Sequence, residues 1–111
     1  MTPAEIERLV AAELERIPDP SRRSALQRAL VQPTSHDRSS LHVDGTFTCW
    51  VVARDDRTEL VYCRGPFGDP WGCLDAGGPD LGLDSQWFAK LDDAFIFGMW
   101  DGPLPSDYEV E

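Results

Sequence analysis

Residues 46–53, Thr-Phe-Thr-Cys-Trp-Val-Val-Ala, constrain the fold more than any other stretch of the chain. β-Branched and aromatic residues dominate it, the types that suit a pleated, half-buried surface. Its second half is apolar at successive positions, so both faces carry apolar side chains. A strand of that kind lies centrally in a sheet and needs cover on at least one side. Leu41-His42-Val43 precedes it across Asp44-Gly45, a two-residue hairpin signal. Arg54-Asp55-Asp56-Arg57 reads as a turn, and Glu59-Leu60-Val61-Tyr62-Cys63 returns as the next strand. Three antiparallel strands in sequence form a meander. Trp71-Gly72-Cys73-Leu74 supplies a short fourth.

Helices flank this sheet. Thr2-Pro3-Ala4-Glu5 opens the first, with Thr2 as N-cap, Pro3 at the first helical position and Glu5 completing a capping box. Ile6, Leu9, Val10, Leu14 and Ile17 follow at helical spacing. After Pro18, Asp19-Pro20 starts a second helix, whose stripe is Leu26, Ala29 and Leu30 and which Pro33 ends. Arg22, Arg23 and Arg28 read as its solvated face. Residues 33–40 read as a polar loop. A last helix is predicted from Gln86 to Phe95, capped by Asp84 or Ser85, with Trp87, Phe88, Leu91, Ala94 and Phe95 toward the sheet and Gly98 ending it. Phe47, Trp50, Phe88, Leu91 and Phe95 are the predicted packing between sheet and helices. The fold class is therefore α+β: two N-terminal helices, a three- to four-stranded antiparallel sheet and a C-terminal helix, in one domain over residues 1–111.

Residues 64–84 differ in kind. They hold six of the nine Gly and three of the nine Pro, a density that breaks regular structure. A long loop in a compact domain is often functional. It is placed near the face or edge of the sheet that the helices leave free.

Charge is skewed in the same direction. The chain has 10 basic and 20 acidic residues, a net charge of −10. Residues 1–40 contain six Arg and six acids and sum to zero, so the whole excess falls in residues 41–111. Nucleic-acid binding through phosphates needs clustered Lys and Arg and is excluded as an expectation. No membrane span is expected, because no apolar run approaches the roughly 18 residues required. Cys49, Cys63 and Cys73, without a signal-like N-terminus, point to reduced thiols in the cytoplasm.

No catalytic signature emerges. Cys49 and Cys63 lie mid-strand, where a thiol behaves as a small hydrophobe. The loop aspartates lack the alternation of a calcium loop, and three Cys with two His lack zinc spacing. Neither a metal nor a cofactor is expected. What remains is an acidic surface with aromatics beside Gly, Pro and Asp, the pattern of aromatic anchors inside a charged rim. The predicted partner-binding residues are Asp69, Trp71, Asp75, Asp80, Asp84, Asp92, Asp93, Trp100, Asp101 and Tyr108. The alternative is a small enzyme or ligand-binding domain built on the 64–84 loop, with a pocket lined by His42, Cys63 and Trp71.

Trp87-Phe88-x-x-Leu91-x-Asp93-Ala94-Phe95, followed by Trp100-x-Gly102-x-x-Pro105-x-x-Tyr108, resembles small acidic bacterial proteins of the immunity type. The resemblance spans about the last quarter of the chain and assigns no functional residue. It implies a non-enzymatic protein that blocks a basic toxin or effector domain.

Overall fold

A computed structural model describes residues 1–105. The elements are α1 (Pro3–Glu15), α2 (Pro20–Ala29), β1 (Leu30–Ser39), β2 (Thr46–Arg54), β3 (Thr58–Tyr62), β4 (Trp71–Asp75), a 3₁₀ turn (Asp84–Gln86), β5 (Trp87–Phe88) and α3 (Leu91–Gly98). The fold is α+β. Its sheet has five antiparallel strands in the order β1-β2-β3-β4-β5.

The N-terminal helices start as their sequence dictates. The Glu5 amide donates to Thr2 Oγ1 at 3.2 Å and the Thr2 amide donates to Glu5 Oε1 at 3.0 Å. Asp19 Oδ1 accepts the Ser21 amide at 2.9 Å. These bonds satisfy amides that a helix start otherwise leaves orphaned.

Three boundaries differ from expectation. The second helix stops at Ala29, and the supposed loop at 33–40 is most of β1. Leu41-His42-Val43 is not a strand: Ser39 pairs with Thr46, so the hairpin loop is residues 40–45, closed by Ser40 Oγ accepting the His42 and Val43 amides. The predicted helix from Gln86 begins instead at Leu91, because Trp87 and Phe88 pair with β4 as Gly72↔Trp87 and Trp71↔Phe88. Gly72 makes this pairing tight: a Cβ there would sit 2.8 Å from the Trp87 ring. Asp92 and Asp93 then occupy the first turn of α3, where acidic side chains complement the helix dipole.

Each face of the sheet has its own core. All three helices pack on one face, where Ile6, Val10, Leu26, Leu91, Ala94 and Phe95 meet Val52, Leu60, Tyr62, Trp71 and Cys73. An aromatic row crosses this face, Trp50↔Tyr62↔Trp71↔Phe88, one residue from each of β2 to β5. Cys49, Val51, Val61, Cys63, Leu74, Leu81 and Trp87 fill the second face, with Phe47 and Phe67 packed against them. Phe47 therefore belongs to the loop-covered face, not to the helical one. β2, expected to need cover on at least one side, is covered on both, by helices on one face and by the Gly/Pro-rich segment on the other.

Gly98 shows how closely α3 sits on the sheet. A Cβ there would overlap Cys73 Sγ and lie 3.2 Å from Thr58 Cγ2. Gly98→Ala is expected to destabilise the fold by about 1–3 kcal/mol through overpacking. Cys73→Ala in the same chain should recover part of that loss, measured by urea unfolding of the two single variants and the double.

Candidate functional site

The second face is organised by a buried ion pair. Arg38 on β1 and Glu59 on β3 are 2% and 1% exposed. The Arg38 Nη2 donates to Glu59 Oε1. The same guanidinium also donates to two backbone carbonyls, one at the end of β4 and one beyond it, from Nη2 to Asp75 O at 2.7 Å and from Nη1 to Asp80 O at 2.6 Å. Glu59 Oε1 further accepts the Gly77 amide at 3.1 Å and lies 3.3 Å from His36 Nε2. Burying these charges is tolerable only because each finds several partners.

This pair is a clamp on residues 75–86. The segment folds back over the second face and bridges β1, with the Ser39 amide donating to Pro79 O at 3.0 Å and the Leu81 amide to Ser39 O at 2.9 Å. Leu81 is fully buried beneath it. Trp87 Nε1 donates to Leu81 O at 2.8 Å. Asp80 Oδ1 accepts the Gly82 amide at 2.8 Å, Gln86 Oε1 accepts the Leu83 amide at 2.8 Å, and Gln86 Nε2 donates to Cys73 O at 3.0 Å. Gly82 has φ +66°, a left-handed conformation that costs glycine little. The loop's backbone polar groups are therefore held from inside.

Its outer surface is acidic with an apolar centre. Leu83 is 56% exposed and stands between half-buried Asp80 and exposed Asp84. Asp75, at the near end of the loop, is also exposed.

The predicted contact residues divide accordingly. Asp75, Asp80 and Asp84 belong to this one clamped loop. Asp69 is exposed on the preceding loop, and Asp101 is exposed beyond α3. Trp71 is not a surface anchor: it is 3% exposed, in the helix-side core, edge-on to Tyr62 with ring centroids 5.0 Å apart. Trp100 is half-buried, its ring 6.1 Å from Phe95 and its Nε1 donating to Pro103 O at 2.9 Å. Asp92 is committed internally, since buried Arg22 grips it in two parallel bonds of 2.8 and 2.9 Å. Arg22 is accordingly no part of a solvated face. Asp93 is half-buried in the first turn of α3. Tyr108 lies outside the described residues.

The pocket imagined for an enzyme is not assembled. Trp71 faces the helices and Cys63 the opposite core. His42 is exposed in the hairpin loop, edge-on to Phe67 at 5.7 Å. Among the described residues, no group of three His, Cys, Asp or Glu side chains could hold a metal ion, and no helix is long and apolar enough to cross a membrane.

Sequence reasoning missed Arg38, Glu59 and His36. Their one visible signal is the two-residue spacing of Thr34, His36 and Arg38, a strand period written in polar residues. Comparison with protein-family models, with curated proteins and with solved structures finds no match for this chain.

Proposed function

We propose that this chain is a non-enzymatic acidic binding protein whose clamped 75–86 loop engages a basic protein partner. The observation that carries the reading is the loop itself: Asp75, Asp80, Leu83 and Asp84 ride on a backbone fixed by Arg38, Gln86 and Leu81. A preformed segment loses little conformational freedom on binding, so its contacts translate more fully into affinity. An exposed leucine rimmed by carboxylates matches the apolar centre and polar rim of protein interfaces. The net charge of −10 adds long-range attraction for a positive surface.

The partner that fits best is a toxin or effector domain with a positively charged nucleic-acid or substrate cleft, as the immunity-type resemblance of the last quarter of the chain implies. The carboxylates would stand where phosphates bind. A cytoplasmic setting agrees with three cysteines that all remain free.

The test has two stages. Affinity capture from the native cell should return a basic protein, whose association with the purified chain slows as salt rises. The triple variant Asp75→Asn, Asp80→Asn, Asp84→Asn should then lower the association rate about tenfold and flatten its salt dependence. Asparagine keeps an acceptor for the Gly82 amide at position 80, so the loop is retained. An unchanged rate and salt slope in the triple variant would remove the loop from the interface.

A further inference from the structure

The second core contains a pair of thiols that the binding surface does not use. Trp50 of β2 pairs with Tyr62 of β3, and the antiparallel register carried one step further sets Cys49 opposite Cys63. Directly opposed residues in an antiparallel ladder have Cα atoms about 4.5–5.5 Å apart. That separation falls inside the roughly 4.4–6.8 Å window of disulfides. Both side chains lie in the same buried cluster, and both thiols are free. Cys49 Sγ donates to Phe47 O at 3.7 Å, and the proximity of the two thiols holds Cys63 below the ordinary thiol range and, with burial, pushes Cys49 above it.

Both thiols are buried, Cys49 at 0% and Cys63 at 2% exposure, and they differ in that Cys63 borders a groove. Cys63 lines a groove of about 300 Å³ with Met1, Thr48, Trp50, Tyr62 and Arg64. Arg64 is exposed at this groove and offers a positive charge to an anionic reagent. Cys49 does not line this groove. Cys73 is remote in character: it belongs to the helix-side core, and burial pushes its thiol up to about 11.

We propose that Cys49 and Cys63 form a redox-modification site that takes a small anionic disulfide, of the glutathione disulfide class, and closes to an intramolecular cross-strand disulfide. The Cys63 thiolate attacks one sulfur of the oxidant and expels the first thiolate. Cys49, losing its proton, attacks Cys63 Sγ in the mixed disulfide and expels the second. One protein disulfide forms and one reagent disulfide breaks. Two electrons pass to the reagent, and its two leaving thiolates take up the two protons released by Cys49 and Cys63.

The experiment treats the folded, reduced chain with glutathione disulfide, quenches with acid, alkylates the remaining thiols and maps peptides by mass. The expected product is a monomer about 2 Da lighter than the reduced chain. It carries a Cys49–Cys63 link and retains one of its three thiols, Cys73. In Cys49→Ala a glutathione adduct should accumulate on Cys63, whereas Cys63→Ala should leave Cys49 unmodified. As a second readout, the untreated wild-type chain should bind one equivalent of phenylarsine oxide, which requires two neighbouring thiols. Adducts on Cys73, links between chains, or three thiols that stay free until the protein is unfolded would each overturn the proposal. The wild-type measurements decide it even if a variant fails to fold.

Discussion

Replacing Arg38 by leucine is expected to lower the stability of the fold by about 3–5 kcal/mol, the usual consequence of leaving a buried charge without its partner. Domains of this size hold roughly 5–15 kcal/mol in total, so much of the margin would go. The melting temperature should fall on the order of 15 °C. The reasoning rests on what Arg38 touches. Its guanidinium meets the Glu59 carboxylate and two carbonyls, Asp75 O and Asp80 O. Leucine removes the counter-charge of a carboxylate that is 1% exposed, and it removes the donors to both carbonyls at once.

The loss should be larger in the loop than in the sheet. Native-state hydrogen exchange should show the amides of Gly77, Leu81 and Leu83 opening more readily in Arg38→Leu, while amides of β2 and β3 stay protected to the global limit. The double variant Arg38→Met, Glu59→Leu separates two contributions. It removes both charges, so no unpaired ion is left, and it should recover a large part of the stability. It should not restore the loop, because methionine offers no donor to Asp75 O or Asp80 O. If the ion pair were merely structural filler, the double variant would recover loop protection along with stability.

The contrast between what the sequence states openly and what it conceals follows from periodicity. Capped helices announce themselves: Thr2-Pro3-x-Glu5 and Asp19-Pro20 fold as written. Residues 46–53 form the predicted central strand because their apolar content admits little else. β1 was concealed for the opposite reason. Its inward positions include Arg38 and His36 where a strand pattern calls for apolar residues, and a buried charge looks identical to a solvated one until its partner is known. Glu59 lies 21 positions from Arg38, and Asp92 lies 70 from Arg22, so neither pairing has a local signal. Trp87 and Phe88 fit a helix face and a short strand equally well. The acids Asp92 and Asp93, which favour a first turn, mark where the helix begins. For the candidate site, charge skew and the Gly/Pro-rich segment single out residues 64–84, but composition could not tell which tryptophan was inside.

Trp71→Ala settles that last point by its size. Trp71 is 3% exposed and touches neighbours on both sides of the aromatic row, Tyr62 on β3 and Phe88 on β4's other flank. Truncating a buried tryptophan costs about 3–5 kcal/mol, through lost transfer energy and the cavity left behind. The edge-on Tyr62 contact adds about 0.5–1.5 kcal/mol beyond area alone. Trp100 is half-buried and its indole is satisfied by Pro103 within a three-residue reach, so Trp100→Ala should cost only about 1–2 kcal/mol. Equilibrium unfolding in urea therefore should rank the two variants far apart. A surface anchor would behave in reverse, with Trp71→Ala nearly as stable as the parent and deficient only in binding. Trp71→Phe provides the matching control: it keeps an aromatic ring between Tyr62 and Phe88 and should retain more stability than alanine, as a packing role demands and a specific indole contact to a partner would not.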